Sequence, residues 1–182
     1  MSAWTRRGSP YCNKQKGSST VQNPITYRTA EPKDINGVLA LVRELAAYEK
    51  MEDAVVATEE QYQNWLFERR VAAVLLACDG EKIIGIALYF YNFSTWLGRG
   101  GIYLEDLFVK PEYRGQGIGK TLLRMLAQKA VSEGCGRVEW SCLDWNAPSI
   151  AFYRAQGAVP MDGWTTYRLT GEALERFAHE TD

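Results

Sequence analysis

The chain reads as an α/β protein with a mixed sheet flanked by helices, and three observations predict it. Two apolar strand patterns flank Asp79-Gly80, a sequence suited to a tight hairpin. A later strand pattern, 102–109, leads through a glycine-rich turn into an amphipathic helix and then another strand. Strand-like segments also outnumber helical ones.

Taken in order, residues 25–30 (ITYRTA) form the first strand. The helix over 31–51 follows from the apolar stripe Ile35, Val38, Leu39, Leu41, Val42 and Leu45, with Pro32 suited to its first turn. Thr58 and Gln61 stand three apart, the spacing of a capping box, and open a second helix over 58–67. The hairpin 72–93 comes next, then an irregular stretch over 94–101 and the strand 102–109. Leu122, Leu123, Leu126, Ala127 and Ala130 define a third helix that Gly134 ends. A strand over 137–145, a short helix over 147–157 and a last strand over 164–170 complete the pattern.

The 182 residues suit one folded domain, 25–182, behind a leader at 1–24. That leader holds Arg6, Arg7, Lys14 and Lys16 and no acid, and it lacks periodicity, so flexibility is expected. It reads as an extension or cloning remnant, with a transit peptide as the alternative. A formal net charge of −1 argues against a nucleic-acid partner, and no apolar run is long enough to span a membrane. Cys12, Cys78, Cys135 and Cys142 lack metal-site or redox spacing and read as reduced thiols of a cytoplasmic protein. The single histidine, His179, leaves no basis for a histidine triad or a multi-histidine metal site. No metal is expected.

The segment 112–121, EYRGQGIGKT, invites comparison with nucleotide-binding loops. A triphosphate loop needs a glycine where Arg114 stands, and Pro111 interrupts the strand that should feed it. The dinucleotide fingerprint needs a third glycine where Lys120 stands. What remains is a run of small residues whose amides converge at the positive end of a helix, an anion site suited to a diphosphate. A purely structural glycine turn is the alternative.

Arg114-x-x-Gly117-x-Gly119, preceded by a strand and opening a helix, resembles the coenzyme-binding motif of the GCN5-related N-acetyltransferases, the GNAT superfamily. The likeness covers nearly all of 25–182. The segments AAYEKME, YLEDLFV, EYRGQGIG and DWNAPSIAFYRAQGA resemble its diamine acetyltransferase (spermidine/spermine acetyltransferase-like) group. Ser94-Thr95-Trp96 is closer to the branch acting on thialysine than to the polyamine branch, which has an aspartate and proline there. The resemblance implies a mostly antiparallel sheet of six or seven strands, splayed at a β-bulge, with about four helices.

It also implies acetyl-coenzyme A as co-substrate, a small primary amine as acceptor and a homodimer. The diphosphate would lie on Arg114, Gly115, Gln116, Gly117, Ile118, Gly119 and Lys120. The pantetheine arm would pair with Leu107, Phe108 and Val109, with further coenzyme contacts from Asn146 and Ser149. Tyr153 matches the general acid and Glu105 the group that takes the amine's proton. Tyr48, Glu49, Trp96, Glu105, Asp106, Glu139, Trp140 and Ser141 would form the amine side.

The residue types suit this chemistry. A phenol keeps its proton at neutral pH and can give it to a leaving thiolate, while an alkylammonium must lose a proton before it attacks. Neighbouring acids such as Glu105 and Asp106 project to opposite faces of a regular strand, so one of them meets unusual surroundings. Blander alternatives stand beside each role: Tyr153 as packing, the two acids as an exposed edge, Asn146 as a helix starter. Two other activities stay open as well, acetylation of protein lysines and silent coenzyme binding by a regulator.

Overall fold

The computed structural model describes residues 24–180. The expected leader lies outside them, apart from Pro24 at its end. Contact density divides the described residues into two compact units, with the boundary between Trp140 and Ser141.

In the first unit a five-stranded sheet runs in the order β1 (Thr26–Thr29), β2 (Ala73–Asp79), β3 (Lys82–Ser94), β4 (Arg99–Val109), β5 (Val138–Trp140). The first four strands are mutually antiparallel, and β5 joins β4 in parallel. Gly80, at φ 59°, turns β2 into β3 at the expected place.

Alternation along the strands decides what each face meets. Val74, Leu76 and Cys78 of β2, with Ile86 and Leu88 of β3 and Phe108 of β4, form one buried face. Helix α1 (Ile35–Tyr48) covers it with Val38 and Leu41, helped by Val42 and Leu45. Tyr62 and Leu66 of the second helical segment add to the same cluster. That segment starts as α2 (Glu59–Tyr62) behind the predicted Thr58–Gln61 capping box and widens to π-helical turns over Gln63–Glu68. Helix α3 (Ile118–Ser132) buries Leu122, Leu123, Leu126 and Ala130 against β2 to β5, using the complementary residues such as Ile102 and Leu104.

Three parts of the expected fold are corrected. The stretch 94–101 is half strand, because β3 and β4 form one long hairpin closed by a turn at 95–98. Gly101 belongs there for a steric reason: a Cβ at this position would lie 2.4 Å from Oδ1 of Asn92 on β3. The strand expected over 137–145 shortens to Val138–Trp140. In the second unit 164–170 forms no strand, and its Trp164, Tyr167 and Leu169 are exposed.

The sheet therefore has five strands among the described residues rather than six or seven, and five helices instead of about four. The second unit holds α4 (Ala147–Arg154) and the unexpected α5 (Gly171–His179). Signals for α5 are present in the chain: Thr170 at the N-cap, Glu172 in the first turn, Arg176 and His179 in the last.

Candidate active site

The expected bulge falls at Glu105. Leu88 on β3 faces Asp106, while the next residue, Tyr89, faces Leu104, so Glu105 is an extra residue with no partner across the ladder. A bulge of one residue reverses the facing of everything beyond it. Leu104 therefore packs on the α3 face, whereas Asp106, two positions on, shares the α1 and α2 face with Leu88. On β4's other edge, pairing with β5 covers only Ile102 to Leu104. Glu105, Leu107 and Val109 border the opening that results, with Phe108 buried beneath.

The electrostatics here are unusual. Burial, followed by the negative charges of Glu105 and Glu49, raises the Asp106 carboxyl to about 6. Burial also raises Glu49, which caps the C-terminal, negative end of α1, a poor place for a carboxylate on helix electrostatics alone. The Tyr62 phenol is pushed up by burial and then by Asp106, against an opposing pull from Arg43. Asp106 thus lies within the field of two further carboxylates, near a half-buried phenol. Such a set stores electrostatic cost that an incoming cation would relieve.

Beyond β4 the chain turns through Pro111–Tyr113 into the glycines. That turn is braced on the β2–β3 hairpin: the Tyr113 hydroxyl donates to Asp79 at 3.0 Å, and Lys82 lies 3.5 Å from Glu112 and over the Tyr113 ring. Lys110 pairs with Glu44 of α1. Arg114 is also engaged. Its Nε donates to the Val109 carbonyl at 2.9 Å, and its guanidinium lies 5.1 Å from the Tyr48 ring and 5.5 Å from that of Phe108. The arginine therefore ties the glycine turn to the end of β4 and to α1.

Gly115 and Gly117 take left-handed backbone conformations, φ 77° and 80°, and Gly117 is the N-cap of α3. A Cβ at either would meet no atom within 4 Å, so the turn presents open backbone rather than packed surface. Ile118 anchors the helix start in the core, while Gln116 and Lys120 are exposed. The first amides of a 15-residue helix lack partners within it and carry its positive dipole. Backbone, dipole and the exposed Lys120 together fit a diphosphate.

The remaining expected residues divide between the units. In the first, Glu139 accepts from Asn92 Nδ2 at 2.8 Å and pairs with Arg137 Nε at 2.6 Å, which joins its carboxylate to an internal network. Trp140 is half-buried, and Trp96 stands 86% exposed in the β3–β4 turn. In the second, Ser141 is exposed, and buried Asn146 caps α4 by accepting from the Ser149 amide at 3.3 Å. Tyr153 is half-buried on α4, its ring edge-on to Phe152 at 5.2 Å. Sequence reasoning missed Tyr62 and the contacts of Asn92 and Arg137 with Glu139. Tyr62 meets Asp106, and Asn92 meets Glu139, only through the fold, since these partners are distant in the chain.

The profile described as the Acetyltransferase (GNAT) family matches residues 39–158, from α1 through α4. The chain belongs to the GNAT acetyltransferase family. It is 39% identical to thialysine N-epsilon-acetyltransferase of Bos taurus, over 85% of this chain and 97% of that protein. The protein of the same name from Caenorhabditis elegans is 36% identical over 84% and 96%. L-ornithine N5-acetyltransferase of Arabidopsis thaliana is 31% identical over 81% and 85%. Among solved structures, an integron cassette protein from the mobile metagenome of V. cholerae superposes with TM-score 0.73 at 27% identity, covering 86% of this chain and 98% of that one. A Trypanosoma brucei acetyltransferase gives 0.65 at 26% identity, with coverage of 81% and 99%. GNAT acetyltransferases use acetyl-coenzyme A, and the open glycine turn with the β4 edge beyond the bulge suits that co-substrate.

Proposed function

We propose that this GNAT acetyltransferase moves the acetyl group of acetyl-coenzyme A to the primary amine of a small molecule, a lysine-like amine such as thialysine or a short diamine. The observation that carries this reading is the bulge at Glu105, which opens the β4 edge and gathers Glu105, Asp106 and Glu49 beside it. The relatives named for thialysine and ornithine support the amine class.

The diphosphate lies on the amides of Gly115 to Lys120, with Arg114 holding the turn in place. The pantetheine arm extends β4 along Leu107, Phe108 and Val109, whose amides polarise the thioester carbonyl. Asn146 and Ser149 add coenzyme contacts. Glu105 takes a proton from the ammonium through a water, and the freed nitrogen lone pair attacks the carbonyl carbon. As the C–S bond breaks, Tyr153 gives its proton to the leaving sulfur and later recovers one from solvent, while the attacking nitrogen releases its second proton to water. Amide and free thiol are the products. Tyr48, Glu49, Trp96, Asp106, Glu139, Trp140 and Ser141 belong to the amine side, where acids and aromatic faces suit an alkylammonium.

In the same reading, residues 25–182 form the catalytic domain of a cytoplasmic homodimer that needs no metal, nucleic acid or membrane. Sedimentation at micromolar concentration should give twice the chain mass. The decisive assay incubates the protein with acetyl-coenzyme A and putrescine, spermidine, lysine, thialysine and a lysine peptide, followed by mass spectrometry. Acetylated small amines are expected. Incorporation into peptide alone, or coenzyme binding without turnover, overturns the proposal.

A further inference from the structure

Strand β5 carries a charged pair where it parts from β4. Its contact with β4 ends at the Leu104–Trp140 pair, and Glu139 faces Tyr103 one position earlier, two residues before the bulge at Glu105. Alternation fixes the face. Leu88 and Phe90 of β3 point the same way, and Phe90 pairs with Tyr103, so Phe90, Tyr103 and Glu139 share the sheet face of Asp106. The rows of Asp106 and Glu139 are two residues apart along β3, about 7 Å. In the second row the rings of Phe90 and Tyr103 stack at 5.0 Å.

Glu139 is not a bare acid. Asn92, one row further out, donates from Nδ2 to Oε2 at 2.8 Å, and Nε of Arg137 lies 2.6 Å from the same oxygen. The second contact is one of charge, since Arg137 Nε makes no hydrogen bond. Gly101 leaves room for both side chains: a Cβ there would lie 2.4 Å from Asn92 Oδ1 and 3.1 Å from Arg137 Cγ. Asn92 Oδ1 is buried and has no hydrogen bond among the described residues, a cost that cohesion of the strands does not explain. The Arg137 and Glu139 side chains stay 34% and 36% exposed, so the pair is within reach of a solute.

We infer that Arg137 sets how strongly the site favours a second positive charge on the amine. By pairing with Glu139 it cancels the charge of the acid in the second row, while Asn92 holds that carboxylate in place. The substrate then meets net negative charge at Asp106 and its neighbours, where one ammonium suffices. Without the guanidinium the row of Glu139 would be negative too, and the field would draw a dication more than a monocation. The inference rests on the proposed acetyl transfer to a small amine and adds a specificity-determining residue to it.

The test compares two amines with the same six-carbon chain, 1,6-diaminohexane and hexylamine, and reads the ratio of their kcat/KM values. In Arg137→Gln the ratio of diamine to monoamine should increase about fivefold, the effect of one charge a row away across partly wet protein. Arg137→Lys keeps the charge and should keep the wild-type ratio. Glu139→Gln leaves the guanidinium unpaired and should lower the ratio by a similar factor. The double variant, Arg137→Gln with Glu139→Gln, is neutral like the wild-type pair and should return the ratio to within about twofold of wild type. A pair that only braced the strands would not give shifts of opposite sign. A ratio unmoved in Arg137→Gln, a shift of the same sign in Glu139→Gln, or an equal increase in Arg137→Lys overturns the inference while acetyl transfer to amines stands. No acetylation of either amine by wild-type protein overturns acetyl transfer to small amines, and the inference with it.

Discussion

Asp106 shows how one residue's surroundings set its work. Held at about 6, it is ionised at neutral pH and protonated in mild acid. An ionised Asp106 attracts the substrate ammonium, and a protonated one does not. For Asp106→Asn we predict kcat/KM about tenfold below wild type at pH 7.5, one charge-assisted contact's worth. At pH 5 the two proteins should be nearly equal, since the wild-type acid is already neutral there. A constant deficit across a pH series would remove the charge from the explanation. Tyr153 is tested separately, because its proposed role belongs to the chemical step. Tyr153→Phe keeps the ring against Phe152 and removes only the proton donor. We predict a kcat about 100-fold lower or more, the usual range for a lost general acid, with coenzyme affinity retained. Unchanged turnover would leave Tyr153 as a packing residue.

At the scale of elements, the glycine turn and the bulge do different jobs. The turn works through backbone conformation. Gly117→Ala places a side chain at φ 80°, with a cost of about 1–2 kcal/mol, and puts a methyl group into the open space of the turn where the diphosphate is proposed to lie. Thermal unfolding should show that modest loss, while the dissociation constant for coenzyme A rises on the order of tenfold, the value of one charge-assisted hydrogen bond. Loss of stability without loss of affinity would place the diphosphate elsewhere. This turn was legible in the chain because its physics is local: glycines, a strand before, an amphipathic helix after. The Asp79-Gly80 hairpin and the Thr58 capping box were legible for the same reason. The bulge came only through family likeness, since Glu105 and Asp106 look like ordinary alternation until register with Leu88 and Tyr89 is known. The π-helical turns at Gln63–Glu68 and the extension of β4 through Gly100 and Gly101 depend on tertiary contacts and leave no local pattern. The pattern at 164–170 misled because aromatic and β-branched residues resemble a strand, and strand propensity depends on packing partners that local sequence does not show.

Across the whole molecule, two aspartates pull stability in opposite directions with pH. Arg28 holds Asp34 through two nitrogens, at 2.5 and 2.8 Å, and the Glu31 amide donates to it at 2.8 Å. The hydrogen bonds from Arg28, outweighing the effect of burial, hold its carboxyl below the ordinary 3.8. A depressed acid stabilises the fold above its unfolded value, and that contribution fades as pH falls through the folded value. Asp106 is the reverse case: raised from 3.8 to about 6, it binds its proton more tightly when folded. Its cost, at most about 3 kcal/mol, is fully present above its folded value and disappears as pH falls toward 4. Glu49, also raised, acts in the same direction. Urea unfolding should therefore show stability increasing from pH 7.5 down to about pH 4–5 and decreasing below that. Asp106→Asn should flatten the upper limb and keep the acid limb. Asp34→Ala should lose about 3 kcal/mol near neutrality, as expected for a charge pair missing one partner, and flatten the acid limb instead. If stability in wild-type protein increased with pH between 5 and 7, the carboxylate beside the bulge would be ionised without penalty. The site would then hold no stored cost for an ammonium to relieve.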